Sequence, residues 1–371
     1  MKRVFISIPW FSPAFKAGGP IQSILNMVNN CDDNIKFKIL TENTDIDKSK
    51  LENINSDTWS SFNASTEVFY VSPEGRVKKL IKQFKTIKSD VVFIVGIYSF
   101  YFTLLPLLFS RATRIIISVR GMLHPPALQQ KKLKKKIYLA LLKPLLKFKD
   151  VEFHATDQTE SDYIHSYIGK SAKVWVAPNI PAINTPNILP KKSGKLTMLT
   201  VALIGPMKNY HEVLNSLHLC KYEIQYDICG PIYVSDYWDE CMRIIEKLPS
   251  NIKVNYHGAV PPHLIGQYLF NSHIFVCPSQ SENFGHAIYE AFSAGKPVIT
   301  SHNTPWNNLE DNFAGINLFP ETLSIKKAID FFCEMNDETY AFWSKGASDF
   351  SKKAIDLDSI KNKNTEMFAA I

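Results

Sequence analysis

The sequence lacks the closely spaced cysteine pairs that mark zinc sites and redox motifs. Its six cysteines are scattered, and no two of them form a Cys-x-x-Cys pair. Several lie in apolar segments, which predicts buried free thiols in a reducing cytoplasm. Short internal repeats and low-complexity tracts are also missing.

The composition is that of a folded globular protein. The chain has 371 residues, which is enough for two domains, with 45% hydrophobic and 21% charged residues. The formal charge of +7 is a modest basic excess, so its distribution along the chain says more than its size. These values exclude a disordered chain.

Charged residues are absent between Val91 and Ser110, a stretch long enough to span a membrane. The turn-like segment Gly96–Ser99 divides it into a strand, Val91–Val95, and a buried helix that begins at Phe100. Another strand-like run, Arg114–Val119, follows. This order is typical of a βαβ unit, so we favour a soluble fold over a membrane span.

Strand-like and helix-like segments alternate twice along the chain. The first series covers residues 1–178, and residues 179–194 form a polar, proline-punctuated linker. The second series covers residues 195–345 and leaves a C-terminal helix at 346–371. We therefore predict an α/β fold with two doubly wound domains that face a central cleft, where ligands bind at the carboxyl ends of the strands.

The segment Ser281–Glu290 carries the clearest chemical pattern. It follows a strand at Phe275–Val276 and opens a helix predicted over Phe284–Ala294, whose unpaired N–H groups suit a phosphate or diphosphate. Glu282 lies in the turn and Glu290 about two helical turns further on, where a carboxylate can accept hydroxyl protons from a ribose or a hexose. The competing interpretation of Glu282 is a surface acid favoured by the helix dipole.

The run from Leu199 onward resembles the retaining glycosyltransferases of family four, which have the GT-B fold of two Rossmann-like domains. The resemblance rests on Glu282-x7-Glu290, Ala291–Ile299, Thr304-Pro305-Trp306, Asp227–Pro231 and Tyr256-His257-Gly258. In the first domain, Gly18-Gly19-Pro20, Arg120–Leu123 and His154–Thr156 are similar to the bacterial surface-polysaccharide branch.

The resemblance implies a role for each matching residue. Glu290 matches the acid that binds the nucleotide ribose, Glu282 the acid near the donor sugar, and Lys208 the lysine on the diphosphate. A lysine suits a leaving group whose negative charge grows as the glycosidic bond breaks. The further positions that match the nucleotide-sugar site are Gly18, Gly19, Gly230, Gly258, Asn283, Phe284, Gly285 and His286.

Two positions depart from the family pattern. The stretch Ala202–Ile204 holds no arginine where many members have one, and Arg120 stands where many have a histidine. Arg120 can bind a phosphate or an acceptor carboxylate, and His124, four residues on, can contact the sugar. His286 fits a sugar contact and a capping or packing role equally well.

The mechanism implied by the resemblance is retaining transfer by front-side attack assisted by the donor phosphate, with no metal and no cofactor. Two Asp-x-Asp patterns occur, at Asp45–Asp47 in a polar loop and at Asp356–Asp358 in a C-terminal helix. We predict that both are surface acids.

A basic segment, Lys131–Lys149, contains eight lysines and no acid. One interpretation is a helix buried on one side with a solvated basic face. The other is a patch that docks on an anionic cytoplasmic leaflet. Nucleic acid is disfavoured because no aromatic residues interleave with the charges in a binding motif.

The predicted function is transfer of a sugar from a UDP- or GDP-linked donor to a lipid-linked oligosaccharide in capsule, O-antigen or exopolysaccharide assembly. The predicted location is the cytoplasm, including its face of the plasma membrane. The alternatives are a GT-B epimerase or phosphorylase and a non-catalytic subunit that scaffolds another transferase. The C-terminal helix is expected to cross back to the first domain, as it does in family members.

Overall fold

The structure is a computed structural model that describes residues 1–32, 34–129 and 132–370. The chain forms two compact units. Met1–Ile180 and Leu357–Ile371 make up the first, and Pro181–Asp356 the second. Most of the predicted linker, from residue 181 onward, therefore belongs to the second unit, where the Lys191 N–H donates to Asp337 at 2.7 Å.

The first unit is built on an eight-stranded sheet in the order β3-β4-β2-β1-β5-β6-β7-β8. Only the pair β3 and β4 is antiparallel, and every other neighbouring pair is parallel. The strands are β1 (Lys2–Ser7), β2 (Ile35–Glu42), β3 (Trp59–Asn63), β4 (Thr66–Val71), β5 (Val91–Val95), β6 (Arg114–Ser118), β7 (Glu152–Ala155) and β8 (Val174–Val176).

Helices cover both faces of this sheet. They are α1 (Gly19–Asn30), α2 (Arg76–Thr86), a π-helical turn (Phe100–Leu104) that continues into α3 (Leu105–Phe109), α4 (Pro125–Gln129), α5 (Lys132–Phe148) and α6 (Gln158–Tyr167). One core cluster joins the sheet to α2, α3, α5 and α6. A second cluster joins the opposite face to α1. This is the doubly wound arrangement expected from the strand and helix order.

The second unit contains six parallel strands in the order β11-β10-β9-β12-β13-β14. They are β9 (Lys195–Val201), β10 (Glu223–Cys229), β11 (Ile252–Tyr256), β12 (Ile274–Cys277), β13 (Val298–Ser301) and β14 (Gly315–Leu318). The helices are α7 (Tyr210–His218), α8 (Ser235–Ile245), α9 (Pro262–Phe270), α10 (His286–Ser293), α11 (Thr322–Glu334) and α12 (Asp337–Ala354).

The last helix, α13 (Leu357–Ala369), is part of the first unit. Phe368 is buried, and its ring lies 6.0 Å from Phe37 and 5.3 Å from Phe93. The Arg114 guanidinium donates to the carbonyl oxygens of Met367 and Ala370 at the end of the helix. The change of unit comes at residues 356 and 357, and the predicted boundary at 346 falls inside α12.

The apolar run Val91–Ser110 forms β5, the π-helical turn and α3. Among the helices of the described residues, none combines the length and the apolar character needed to cross a bilayer. All six cysteines are free thiols, and all of them except Cys31 are buried.

The helix α5 contains Pro144 and continues through it to Phe148. Pro144 is exposed, so water can solvate the carbonyl that loses its N–H partner. The prediction that Asp45 is a surface acid is wrong, because Asp45 is buried. Its carboxylate accepts hydrogen bonds from the backbone N–H groups of Phe15 and Lys16 at 2.9 and 3.1 Å.

Candidate functional site

The candidate site in the second unit lies at the carboxyl ends of β9 and β12, which are neighbours in the sheet. From β9 the chain builds β10 and β11 on one side, and it then returns to place β12 on the other. Such a reversal of strand order separates the two loops that follow the strands and leaves a crevice between them. The sequence-predicted lysine and glutamates follow these two strands.

The two loops are joined by direct hydrogen bonds. The Gln280 N–H donates to the Met207 carbonyl at 2.9 Å, and the Asn209 side chain donates to the Pro278 carbonyl at 2.6 Å. These bonds hold Lys208, at the end of the short 3-10 turn Pro206–Lys208, against the loop that carries Glu282.

Lys208 and Glu282 form an ion pair, with side chains that are 20% and 14% exposed. Burial by itself lowers the pKa of Lys208, but the adjacent Glu282 carboxylate outweighs it, and the pKa is raised overall. The lysine is therefore charged at neutral pH. Its ammonium has three donors, so it can hold Glu282 and a bound anion together.

Ser279 orients Glu282 and was missed by the sequence analysis. The Ser279 hydroxyl donates to the same carboxylate oxygen, Oε1, at 2.7 Å. Ser279 is fully buried, and its carbonyl accepts the hydroxyl proton of Ser301 at the end of β13. The signal in the sequence was a serine three residues before the acid, a spacing that lets its side chain reach back across one turn.

Glu290 lies in the second turn of α10 and is partly buried. Burial raises the pKa of its carboxyl group to about 7, and no charged neighbour opposes the shift. Among the described residues, no group donates a hydrogen bond to this carboxylate. A desolvated acceptor without a donor is costly, so the position suits a ligand that brings hydroxyl protons.

The helix α10 begins at His286, two residues later than predicted. Gly285 precedes it with φ 75°, a left-handed conformation that stops the helix from extending back to Phe284. A Cβ atom at this position would also lie 3.2 Å from Ile288 and 3.3 Å from the Trp306 indole nitrogen. Glycine is thus required by the turn.

Trp306 fixes the loop in front of α10, a role that its motif did not reveal. Its indole N–H donates to the Phe284 carbonyl at 2.6 Å. Its ring lies 5.3 Å from Phe284 and 5.9 Å from Phe292. Asn283, Phe284 and His286 follow one another through this turn as half-exposed residues, and the rings of Phe284 and His286 are 4.7 Å apart.

Gly230 and Gly258 follow the neighbouring strands β10 and β11 and contact each other, since the Gly230 N–H donates to the Gly258 carbonyl at 2.7 Å. A Cβ at Gly230 would lie 1.9 Å from the Ala202 carbonyl oxygen. Close backbone packing therefore explains this glycine without a ligand. Gly258 has φ 69° and open space around it.

In the first unit, Gly18 ends the loop after β1, and Gly19 is the first residue of α1. Gly18 precedes α1 with φ 72°, and nothing lies within 4 Å of a Cβ placed there. The loop is held by Asp45 through its bonds to Phe15 and Lys16, while Lys16 pairs with Asp47 at 2.6 Å. The Asp45–Asp47 pattern thus shapes this loop.

Arg120 follows β6 in the same unit and has φ 51°. Its guanidinium donates to the Asn179 side chain, and the nearby Glu160 accepts the Gly121 N–H. Burial lowers the pKa of Arg120 to about 10, although the Glu160 charge opposes the shift. Arg120 already has internal partners, which the sequence did not indicate.

His124 packs its ring 5.0 Å from Tyr163, and its Nε2 is buried without a hydrogen-bond partner. His124 and Arg120 belong to the first unit, whereas Lys208, Glu282 and Glu290 belong to the second. Across the described ranges, no group of three or more His, Cys, Asp or Glu side chains is arranged to hold a metal ion.

Two doubly wound α/β units with a polar crevice at the strand ends define the GT-B class of glycosyltransferase folds. Residues 183–349 match the family model described as glycosyl transferases group 1. No curated protein sequence matches the chain.

Solved structures of similar fold cover the whole chain. Sucrose-phosphate synthase from Thermosynechococcus elongatus has a TM-score of 0.73 at 14% identity, with 99% of this chain and 98% of that one covered. Anabaena Alr3699/HepE in complex with UDP-glucose has a TM-score of 0.69 at 16% identity, with full coverage of both chains. WaaG, a glycosyltransferase involved in lipopolysaccharide biosynthesis, has a TM-score of 0.67 at 13% identity, again with full coverage.

The fold is GT-B, and the match of the second unit to the group 1 model supports a glycosyltransferase.

Proposed function

We propose that this glycosyltransferase moves a sugar, with retention of its anomeric configuration, from a UDP- or GDP-sugar to a lipid-linked oligosaccharide of a bacterial surface glycan. The proposal rests above all on the Glu290 carboxylate, which is desolvated and accepts no hydrogen bond within the described residues. A ribose diol supplies the two donors that this carboxylate lacks.

Lys208 takes the diphosphate in this scheme. The ammonium pairs with Glu282, four residues before α10, and the backbone N–H groups at the N-terminus of this helix also favour an anion. As the bond between sugar and diphosphate breaks, negative charge grows on the leaving oxygen. A positioned lysine stabilises that charge more in the transition state than in the ground state.

Glu282 lies near the donor sugar and keeps Lys208 oriented. Ser279 and Lys208 both bind its Oε1, so the carboxylate is held as a hydrogen-bond acceptor for sugar hydroxyls rather than released as a nucleophile. Attack by the acceptor on the same face as the leaving diphosphate, which takes up the proton, accounts for retention. Neither a metal nor a cofactor enters this scheme.

The backbone of Asn283, Phe284 and Gly285 lines the donor, and His286 starts the helix beside it. In the first unit, Gly18 and Gly19 are candidates for nucleotide-sugar binding, and Arg120 and His124 are acceptor-side candidates. UDP and UDP-glucose bind the similar HepE, and WaaG acts in lipopolysaccharide biosynthesis, which supports this class of donor and pathway.

The experiment is a thermal-shift screen of UDP-, GDP-, ADP- and TDP-sugars, followed by NMR of the product formed with the donor that binds. A donor at about 100 times its dissociation constant stabilises the fold by about 2.7 kcal/mol. We expect one nucleotide to stand out and the product anomer to match the donor. An inverted product would exclude the mechanism. Release of a sugar phosphate or of an epimer would make the chain a phosphorylase or an epimerase.

A further inference from the structure

The helix α5 has two apolar faces, and only one of them is buried. Leu139, Leu142 and Leu146 pack into the core of the first unit. On the other side, four large apolar side chains are exposed to 71%, 53%, 75% and 83%, and they are Leu133, Ile137, Leu141 and Phe148. One of the two interpretations of the sequence was a helix with one buried apolar side and one solvated basic side.

The four exposed residues are spaced by four, four and seven positions, so they form one row along the helix. At about 100° per residue, this row faces away from the buried leucines. Water is a poor environment for such a continuous row, since exposed apolar residues on soluble proteins are usually scattered singly. We call these four residues the apolar row.

A row of lysines runs beside the apolar row. Lys132, Lys136, Lys143 and Lys147 are spaced by four, seven and four positions, and each is exposed. Within the described part of the chain, none of them forms a salt bridge or another electrostatic contact. The helix contains no acid, and Asp150, just after it, already pairs with Lys173. Lys131 lies outside the described residues.

The distribution of charge on α5 favours an anionic lipid surface over a second copy of the chain as the binding partner. A second copy of the chain docked through the apolar row would place lysine rows near each other, and no acid on α5 would offset their repulsion. An anionic lipid surface satisfies both rows at once. The acyl boundary takes up the apolar side chains, and the headgroup phosphates attract the lysines.

We propose that α5 docks this protein on an anionic lipid bilayer by lying in the plane of the interface, with the apolar row inserted and the lysine row on the headgroups. Docking needs no nucleotide sugar and no acceptor. It is therefore measured separately from the proposed transfer reaction, and either proposal can fail alone.

The test is sedimentation of the full chain with phosphatidylcholine vesicles, with and without phosphatidylglycerol. The apolar variant is Leu133→Gln, Ile137→Gln, Leu141→Gln, and the basic variant is Lys132→Gln, Lys136→Gln, Lys143→Gln. The control variant, Lys170→Gln, Lys253→Gln, Lys353→Gln, removes the same charge from exposed sites elsewhere. All nine residues are exposed, and thermal unfolding verifies that each variant is folded.

We expect the wild type and the control to bind anionic vesicles, with little binding to phosphatidylcholine alone. The basic variant should bind roughly a hundredfold more weakly at low salt, because each lysine near the surface contributes about a factor of five. The apolar variant should lose at least about tenfold and keep its dependence on phosphatidylglycerol.

Equal binding by all four proteins would overturn the proposal, as would the absence of vesicle binding by the wild type. Analytical ultracentrifugation tests the remaining candidate partner, a second copy of the chain. A dimer that the apolar variant abolishes, without vesicle binding, would assign the apolar row to self-association instead.

Discussion

Polar residues near the strand ends differ in their hydrogen bonding between the two units. In the first unit, three of these residues are bonded to their own fold: Asp45 to the loop after β1, Arg120 to Asn179, and the buried His154 to Ser118 at 2.8 Å and to the Ala177 carbonyl at 2.7 Å. His124 is the exception, since its Nε2 is buried without a partner among the described residues. In the second unit, the Glu290 carboxylate accepts no hydrogen bond from the described residues, and the Lys208 ammonium holds a single carboxylate.

This difference separates residues that are already hydrogen-bonded within the fold from residues that can gain a hydrogen bond from a ligand. A polar group bonded inside the fold gains nothing from a ligand unless it first gives up a partner. A desolvated carboxylate without a donor gains a full hydrogen bond when a hydroxyl arrives. The second unit therefore carries the better candidates for donor binding, and the predictions below test that contrast.

The largest effect is expected at Lys208. Lys208→Met removes the cation that meets the leaving diphosphate, so kcat/KM should fall by roughly 10²–10³. The same change at Lys253, an exposed lysine of β11, is the matched control. Lys208→Met leaves the Glu282 carboxylate without its partner. Thermal unfolding of this variant and of the double variant Lys208→Met, Glu282→Gln therefore tests whether the loss of activity comes from reduced stability. Near-wild-type turnover would remove Lys208 from the diphosphate site.

The second-largest effect is expected for Glu290→Gln. A hydrogen bond to a charged group contributes about 1.5–3 kcal/mol, so affinity for the nucleotide sugar should fall by roughly tenfold to a hundredfold. Isothermal titration calorimetry measures the change, and Glu246→Gln, at an exposed position after α8, is the control. Unchanged affinity in Glu290→Gln would exclude the ribose role.

The pH dependence of binding should follow Glu290. Its carboxyl group has a pKa of about 7 in the free protein, so it is ionised above pH 7 and protonated below. Ribose hydroxyls donate to the ionised form, and affinity should fall by up to about tenfold per pH unit as pH drops below 7. A nucleotide sugar is the right ligand, since its diphosphate does not titrate in this range. The Glu290→Gln variant should show no such slope.

The smallest effect is expected in the first unit. Arg120→Lys disrupts the bond to Asn179, so the free energy of unfolding should fall by about 1–2 kcal/mol while nucleotide-sugar affinity stays constant. Arg111→Lys, at an exposed position, is the control, and denaturant unfolding with calorimetry measures both quantities. Lost affinity with full stability would instead place Arg120 at a bound phosphate.

Much of the fold was predictable because buried parallel strands are short apolar runs, and β5, β6 and β12 were all recognised in this way. The antiparallel edge strand β3 and the last strand β14 were missed. β3 has no fully buried residue and carries weak alternation, so its apolar pattern is faint. Pairing with β4, not local sequence, makes it a strand.

The residues of the candidate site also divide into those that the sequence revealed and those that it did not. Glu282, Glu290 and Gly285 were found from their spacing around one turn, because a strand followed by a helix places nearby residues at the same sheet edge. Ser279 and Trp306 were not assigned roles, since their partners come from tertiary contacts that spacing alone does not reveal.

By itself, the sequence determined the two α/β units, the glutamate pair and the basic character of α5, because local patterns of apolar and charged residues carry that information. The tertiary structure decided which polar groups are already bonded. It paired Lys208 with Glu282, left Glu290 without a donor among the described residues, and turned Leu133, Ile137 and Leu141 outward. The physical reason is that desolvation and hydrogen bonding depend on neighbours brought together by folding, which the order of residues along the chain does not specify.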